Sequence, residues 1–298
     1  MTMKKYIPLI MLVVFCSTSL SAQESIAITT KTTGSISFKR ANQEEFSSGL
    51  KIGTRINNND QIKTGEDGYA VVVFLDDKSQ LKVQPNSVVQ IEGASAEDQE
   101  GISKRINVDT GKLKAEVAEQ RRGDFVIATP TSVASVKGTI FWIIVDPVFG
   151  DQVVVESGNV ELTNNVTGQS VTVESNQSGS SNQEGNVEIT ITLTITGTIQ
   201  SYTEGVSMTV NNVSLVSGES PEGVSIEGAG PLNVSIGDFT TFEGGQPSAG
   251  DNVTINGQLR QDGTFTANIV SVVEETHRME IEFENSDGER RKLEIEYK

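Results

Sequence analysis

The chain has 298 residues, with 23 Lys and Arg against 40 Asp and Glu, a formal charge of −17 and only 5% aromatic residues. So acidic a surface excludes nucleic acid and anionic membrane faces, which are held by basic patches. The scarcity of rings also disfavours stacking on bases or sugars. The length suits about two domains of ~100–200 residues each.

Residues 1–22 read as a secretory signal peptide. Lys4 and Lys5 form the positive head, residues 6–15 the apolar run, and Ser19-Leu20-Ser21-Ala22 a small-residue cleavage site before Gln23. An apolar run of at most about 15 residues is short of the ~20 that a spanning helix needs. Phe15 before Cys16 does not fit a lipoprotein cleavage box. Removing this leader leaves 21 basic and 40 acidic residues, a net charge of −19, and no cysteine. The expectation is a periplasmic or secreted chain without disulfides or thiol chemistry, and with no integral membrane segment once the leader is gone.

Residues 23–173 read as a first β domain made of short strands. Residues 25–30 and 35–39 alternate, and residues 50–56 lead through Asn57-Asn58-Asn59-Asp60 to Ile62. The continuous apolar run at 69–75 has the pattern of a central strand. Asp76-Asp77-Lys78 turns the chain, Leu81 and Val83 alternate as far as Pro85-Asn86, and Val89 and Ile91 close the section. Residues 94–102 are acidic and small and read as a mobile loop. Ile106 and Val108 then precede Asp109-Thr110-Gly111, with Leu113, Ala115 and Val117 beyond it.

The centre of this domain is residues 123–145. An apolar run at 125–128 meets Thr129-Pro130, and a second run at 140–145, which holds the only Trp, follows Lys137-Gly138-Thr139. Both runs are expected to be strands buried on both faces. Pro130 cannot donate to a ladder, so a bend or an edge is expected there, and Gly138 suits a bulge or a close backbone crossing. Glu156-Ser157-Gly158, between Val155 and Val160, repeats the acidic–hydroxyl–glycine device of residues 109–111. It is either a reused turn unit of a stacked, solenoid-like β architecture or one of two similar hairpin turns.

Residues 174–186 contain no apolar side chain and are expected to be a flexible linker. Residues 187–298 form the second β domain, opening with a strict Thr alternation at 187–199. Such a low-charge β segment is an aggregation hazard unless paired. Met208, Val210, Val213 and Leu215 follow, and Val253, Ile255 and Leu259 return through Asp262-Gly263 to Phe265, Ala267 and Ile269 as a hairpin. A last hairpin sets Glu280, Glu282 and Glu284 against Arg290, Arg291 and Lys292.

The sequence offers no candidate catalytic, cofactor-binding or metal-ligating residue. His277 is the only histidine and is expected at a strand start, and no Gly-x-Ser-x-Gly elbow accompanies it. Phosphate-cradling and dinucleotide motifs are absent from the sequence. Asp76-Asp77 and residues 97–100 offer oxygens but lack the spacing of a dedicated calcium loop, so they read as solvated turns.

Several of these stretches together resemble a known family. Ile62-Lys-Thr-Gly-Glu-Asp-Gly-Tyr-Ala-Val-Val-Val-Phe-Leu75, Leu81-Lys-Val-Gln-Pro-Asn-Ser-Val-Val-Gln-Ile91, Gly111-Lys-Leu113, Thr129-Pro130, Val136-Lys-Gly-Thr139 and Glu156-Ser-Gly-Asn-Val-Glu161 occur in order. Over residues 50–173 the chain is thereby similar to the periplasmic domain of the FecR regulators. Lys137 stands where that family commonly has Arg, which keeps the charge and loses the planar fork. The resemblance marks Thr129, Pro130, Lys137, Gly138 and Thr139 as a motif, read here as structural. FecR regulators also carry a cytoplasmic sigma-binding segment and a membrane helix. With about five residues ahead of the apolar run, that role is not carried over. The second domain is more distantly similar to OB-like barrels, which bind oligonucleotides or oligosaccharides.

The expectation is an all-β protein: an elongated β-roll or solenoid-like FecR-type domain, then a small OB-like β-barrel or sandwich. It would serve, without catalysis or cofactor, as a binding or scaffolding module for an envelope protein or a glycan. The alternative is a periplasmic sensor component whose membrane-spanning and anti-sigma part is another chain.

Overall fold

The structure is a computed structural model that describes residues 25–95, 102–119, 123–226, 230–273, 277–284 and 290–297. The leader, most of the acidic loop at 94–102 and the tip of the last hairpin at 285–289 lie outside these residues. Among the described residues, no helix is long and apolar enough to cross a membrane.

The first unit begins with β1 (Ser25–Thr33), β2 (Ile36–Lys39), β3 (Ser47–Ser48), β4 (Arg55–Asn57), β5 (Asp60–Thr64), β6 (Tyr69–Phe74), β7 (Gln80–Val83) and β8 (Val88–Ser95). The long β9 (Ile102–Glu116) follows, then β10 (Phe125–Ala128), β11 (Ser132–Val136), β12 (Ile140–Asp146) and β13 (Gly150–Ser157). It ends with β14 (Asn159–Asn164), β15 (Ser170–Glu174), β16 (Gln177–Ser181) and β17 (Val187–Ile191).

These strands make two facing sheets. Sheet I runs β4-β1-β6-β7-β9-β12-β13-β16-β17. Sheet II runs β3-β2-β5-β8-β9-β10-β11-β14-β15. All these pairs are antiparallel except β9 with β10. The chain passes repeatedly between the sheets, which gives the roll expected from the sequence. β6 lies between β1 and β7 and is almost wholly buried, as its unbroken apolar run requires.

Strand β9 belongs to both sheets. Its first part pairs with β8 and β10, and its last six residues with β7 and β12. The change happens at Gly111, so Asp109-Thr110-Gly111 is a kink inside one strand and not a turn between two. Gly111 has φ +107°, and a Cβ there would lie 2.4 Å from Ser87 Cα. Gly158 repeats the device at φ +87°, where β13 of sheet I passes into β14 of sheet II. The two glycines are corners that move the chain from one sheet to the other, which removes the two-hairpin alternative.

The core between the sheets is aliphatic and aromatic, with Ile56, Phe74, Leu81, Ile91, Ile106, Leu113, Phe125 and Phe141 all fully buried. Lys104 is one charged exception. It takes the inward position two residues before Ile106, and its side chain is 1% exposed. Its Nζ lies 2.7 Å from Asp76 Oδ2, 2.7 Å from Asp77 Oδ2 and 5.2 Å from the centre of the Phe74 ring. The acids of the β6–β7 turn thus clamp the sheet II end of β9. Two ionic partners and a ring face offset the desolvation that would otherwise forbid a buried ammonium.

The second unit is a closed barrel of β18 (Leu193–Thr203), β19 (Ser207–Ser217), β20 (Leu232–Glu243), β21 (Asn252–Leu259) and β22 (Phe265–Val272), in the order β18-β19-β20-β22-β21. β20 and β22 run parallel. The core holds Ile195, Val210, Val234, Ile255 and Phe265. The Asp262-Gly263 hairpin forms as expected, with Gly263 at φ +83°. β23 (His277–Glu284) and β24 (Arg290–Tyr297) pair separately, with His277 first on its strand. The register sets Glu284 opposite Arg290 and Glu282 opposite Lys292, but Arg291 falls opposite Phe283.

Residues 174–186 are not a flexible linker. Residues 177–181 form β16, which pairs with β13 and β17 in sheet I. Its inward positions are small because the opposite sheet fills the space: a Cβ on Gly179 would lie 2.5 Å from Val173 Cγ2 and 3.2 Å from Leu162 Cδ2. The Thr alternation at 187–199 is accordingly two strands. Residues 187–191 end sheet I, and the chain enters the barrel at Thr192. A fragment ending at residue 173 should therefore be less stable than one ending at residue 191 by on the order of 3 kcal/mol, or about 6–12 °C in melting temperature. Equal melting of the two fragments would show that β16 contributes nothing to the roll.

Candidate functional site

The barrel sits on the outer face of sheet I. Along β12, Phe141, Ile143 and Val145 point into the roll, and Trp142 and Ile144 point the other way. The outward set packs with Val154 of β13 and with Ile269 and Phe239 of the barrel. This second apolar layer explains why residues 141–145 are buried on both faces, while Ile140 is exposed. Trp142 is fully buried, its Nε1 donates to Glu156 Oε1 at 2.8 Å, and Lys114 Nζ lies 5.2 Å from its ring centre. Phe149, at the β12–β13 turn, meets the Phe239 ring edge-on at 6.5 Å.

Polar contacts border this layer. Lys112 Nζ donates to the Thr240 carbonyl at 2.8 Å, and burial pulls the Lys112 ammonium below the usual lysine range. Lys114 Nζ lies 2.9 Å from Glu156 Oε1 and 3.4 Å from Glu243 Oε2. Gln152 Nε2 donates to Asn268 Oδ1 at 3.4 Å. Tyr69 stands near the same carboxylates, and its hydroxyl is pushed up by burial first and then by Glu243 and Glu116. At one side the contact opens into a cleft of about 400 Å³, with Lys114, Val155 and Glu156 of the roll facing Thr194, Asn256 and Ile269 of the barrel. Among the described residues no group of three or more His, Cys, Asp or Glu could hold a metal ion.

The motif residues lie elsewhere, and the structure does not bring them together. Thr129 and Pro130 form the β10–β11 turn, closed by Thr129 N donating to the Ser132 carbonyl at 2.9 Å. Lys137, Gly138 and Thr139 follow the other end of β11. Lys137 is exposed; Thr139 is buried, and its hydroxyl donates to the Asn159 carbonyl at 2.8 Å. Gly138 has φ +135°, and a Cβ there would stand 3.2 Å from Glu119 Cα. Gly138→Val should therefore cost about 1–3 kcal/mol through strain and close contact. Lys137→Ala should stay within about 0.5 kcal/mol. Thermal unfolding of both variants checks this, and an unchanged melting temperature for the glycine variant would remove the structural role.

What the Thr-Pro turn serves is Asp151, which the sequence reading passed over. The hydroxyls of Thr129, Thr131 and Ser132 all donate to Asp151 Oδ2. The carboxyl is 2% exposed, and its Oδ1 is buried without a hydrogen-bond partner. Burial raises the Asp151 carboxyl above the usual aspartate value, and the three hydroxyls act in the opposite direction. The available signal was the alternation Asp151, Val153, Val155, which places the acid on the inward face of β13.

The described residues thus form a two-sheet roll bearing a closed five-stranded barrel. Residues 60–161, about a third of the chain, match the family model described as FecR protein, and this segment of the roll is similar to that family. Two crystal structures of a "putative anti-sigma factor" from Parabacteroides distasonis, at 2.50 and 1.65 Å resolution, are each 15% identical, with a TM-score of 0.37. Each match covers 44% of this chain, which in turn spans 59% of that one. No curated protein matches the chain.

Proposed function

We propose that the protein is an exported module of the cell envelope that binds a partner or ligand without catalysing a reaction. The observation that carries this reading is the cleft between roll and barrel, bordered by side chains that hydrogen-bond and pair charges but include no activated nucleophile or base. The FecR domain provides a rigid, doubly sheeted support for it. The sequence supports export through residues 1–22. Mass spectrometry of the exported chain should find a new terminus close to Gln23, and an intact Met1 in a membrane fraction would overturn export.

Binding is tested by capturing partners from envelope extract with the mature chain and with Thr254→Arg, whose side chain fills the cleft. A specific partner retained by the native chain and lost by the variant is expected. Equal capture by both, or capture by neither, overturns the assignment of the cleft.

The match of residues 60–161 to the FecR family favours a second reading, a sensor component acting with a membrane-spanning chain. Deleting the gene should then change transcription of a receptor or transporter set in response to an external ligand. An unchanged transcriptome argues for the scaffold alone.

A further inference from the structure

The cleft of about 400 Å³ falls in the size range of small-ligand sites. Six of its ten lining residues carry an amide or a hydroxyl, beside Val155 and Ile269 as two aliphatic surfaces. Its one lysine is already engaged, since Lys114 is held by Glu156 at 2.9 Å and by Glu243 at 3.4 Å, and the carboxylate in excess is left as an acceptor.

Hydrogen bonds within the walls fix which atoms are left for a ligand. Asn268 Nδ2 donates to Asn256 Oδ1 at 3.3 Å, and Asn256 Nδ2 donates to Thr194 Oγ1 at 3.2 Å. The Thr194 oxygen is thus an acceptor for the wall, and its own proton remains to be donated. Ser217 donates to Asn176 Oδ1 at 2.8 Å, which leaves the Asn176 amide hydrogens and the Ser217 lone pairs. Ser271 donates to Glu243 Oε2 at 3.1 Å and keeps its lone pairs. Trp142 and Lys114 both fall on Glu156 Oε1, so Oε2 is left to accept.

Donors and acceptors therefore both face a cleft whose one lysine is engaged and whose excess charge is a carboxylate acceptor. An anion would meet Glu156 and Glu243 with Lys114 already engaged. An apolar ligand would strand the oriented hydroxyls and amides. A ligand whose own hydroxyls both donate and accept, and whose C–H faces match Val155 and Ile269, satisfies every wall.

We propose that the cleft binds an uncharged oligosaccharide segment. This rests on the binding-module reading and gives it a ligand class. Trp142 lies buried below the cleft, so recognition is by hydrogen bonds rather than ring stacking. The expected dissociation constant is on the order of 1 mM.

The test is an NMR titration of the mature chain with chitotriose, cellotriose and maltotriose, using trigalacturonate as the charged comparison. At least one neutral trisaccharide should shift the Asn176 and Asn256 side-chain amides, and trigalacturonate should not. Asn256→Ala and Thr194→Val should each weaken that binding about tenfold, with Thr172→Val, exposed on β15 of sheet II, as the unaffected control. The valine variant keeps the shape of the wall, and the melting temperature of each variant verifies its fold. The proposal is overturned if no neutral trisaccharide shifts these amides, or if the cleft variants bind as the native chain does. If sugars fail while Thr254→Arg still loses an envelope partner, only the ligand class is wrong; if both fail, the binding-module reading falls with it.

Discussion

Trp142→Ala should lower the melting temperature by about 10 °C and loosen the barrel from the roll. The side chain is fully buried between sheet I and Ile269 of the barrel, so truncation removes a large apolar area and leaves a cavity, at about 3–5 kcal/mol. It also takes the indole donor from Glu156 and the ring face from Lys114. Trp142→Phe keeps most of the area and loses the one hydrogen bond, so about 1 kcal/mol is expected. Calorimetry separates these effects, and proteolysis near Thr192 should become faster in the alanine variant. If Trp142→Ala melts like the native chain and resists cleavage equally, the barrel is not held on sheet I by this contact.

Asp151→Val should cost about 2–4 kcal/mol, because three buried hydroxyls lose their acceptor together. Asp151→Asn behaves differently, since its amide oxygen can still accept all three. The pH dependence gives the sharper test. Burial raises the folded-state value of Asp151 above the ordinary 3.8, so the folded chain holds this proton more tightly than the unfolded chain. The associated stability is full below that ordinary value and is lost as pH rises through the raised one. The native chain should therefore lose stability relative to Asp151→Asn as pH rises from about 4. Urea unfolding of both proteins across acid to neutral pH measures this, and a difference that does not change with pH would show that Asp151 has an ordinary carboxyl.

The apolar strands were legible because they obey the two-residue period or fill it completely, as at residues 69–75 and 140–145. The barrel hairpin was legible from Asp262-Gly263. β16 was not, because its inward residues Gly179 and Ser181 are small where Leu162 and Val173 occupy the space. A composition rule mistakes such a strand for a tether. The 187–199 alternation hid a change of partner, since period 2 says nothing about which strand lies alongside.

The Thr-Pro motif was visible, but its purpose was not. Asp151 lies some 20 residues further on and meets the turn only through β11, β14 and the facing sheet. The cleft was out of reach for the same reason, its residues coming from both units. Lys104 was within reach, for it continues the inward series of Ile106 and Val108, and a charged residue in that series calls for a partner.

Strand β9 pairs with four strands, β8 and β10 on one side of Gly111 and β7 and β12 on the other. Neither sheet can open along its middle without breaking a ladder that the other shares. Amide hydrogens at residues 106–108 and 113–115 should then exchange only through global unfolding, on the slowest timescale of the roll. The edge strands β3, β15 and β17 should exchange through local opening well before them. One strand thus makes a single cooperative unit of a roll that many short hairpins would otherwise leave divisible.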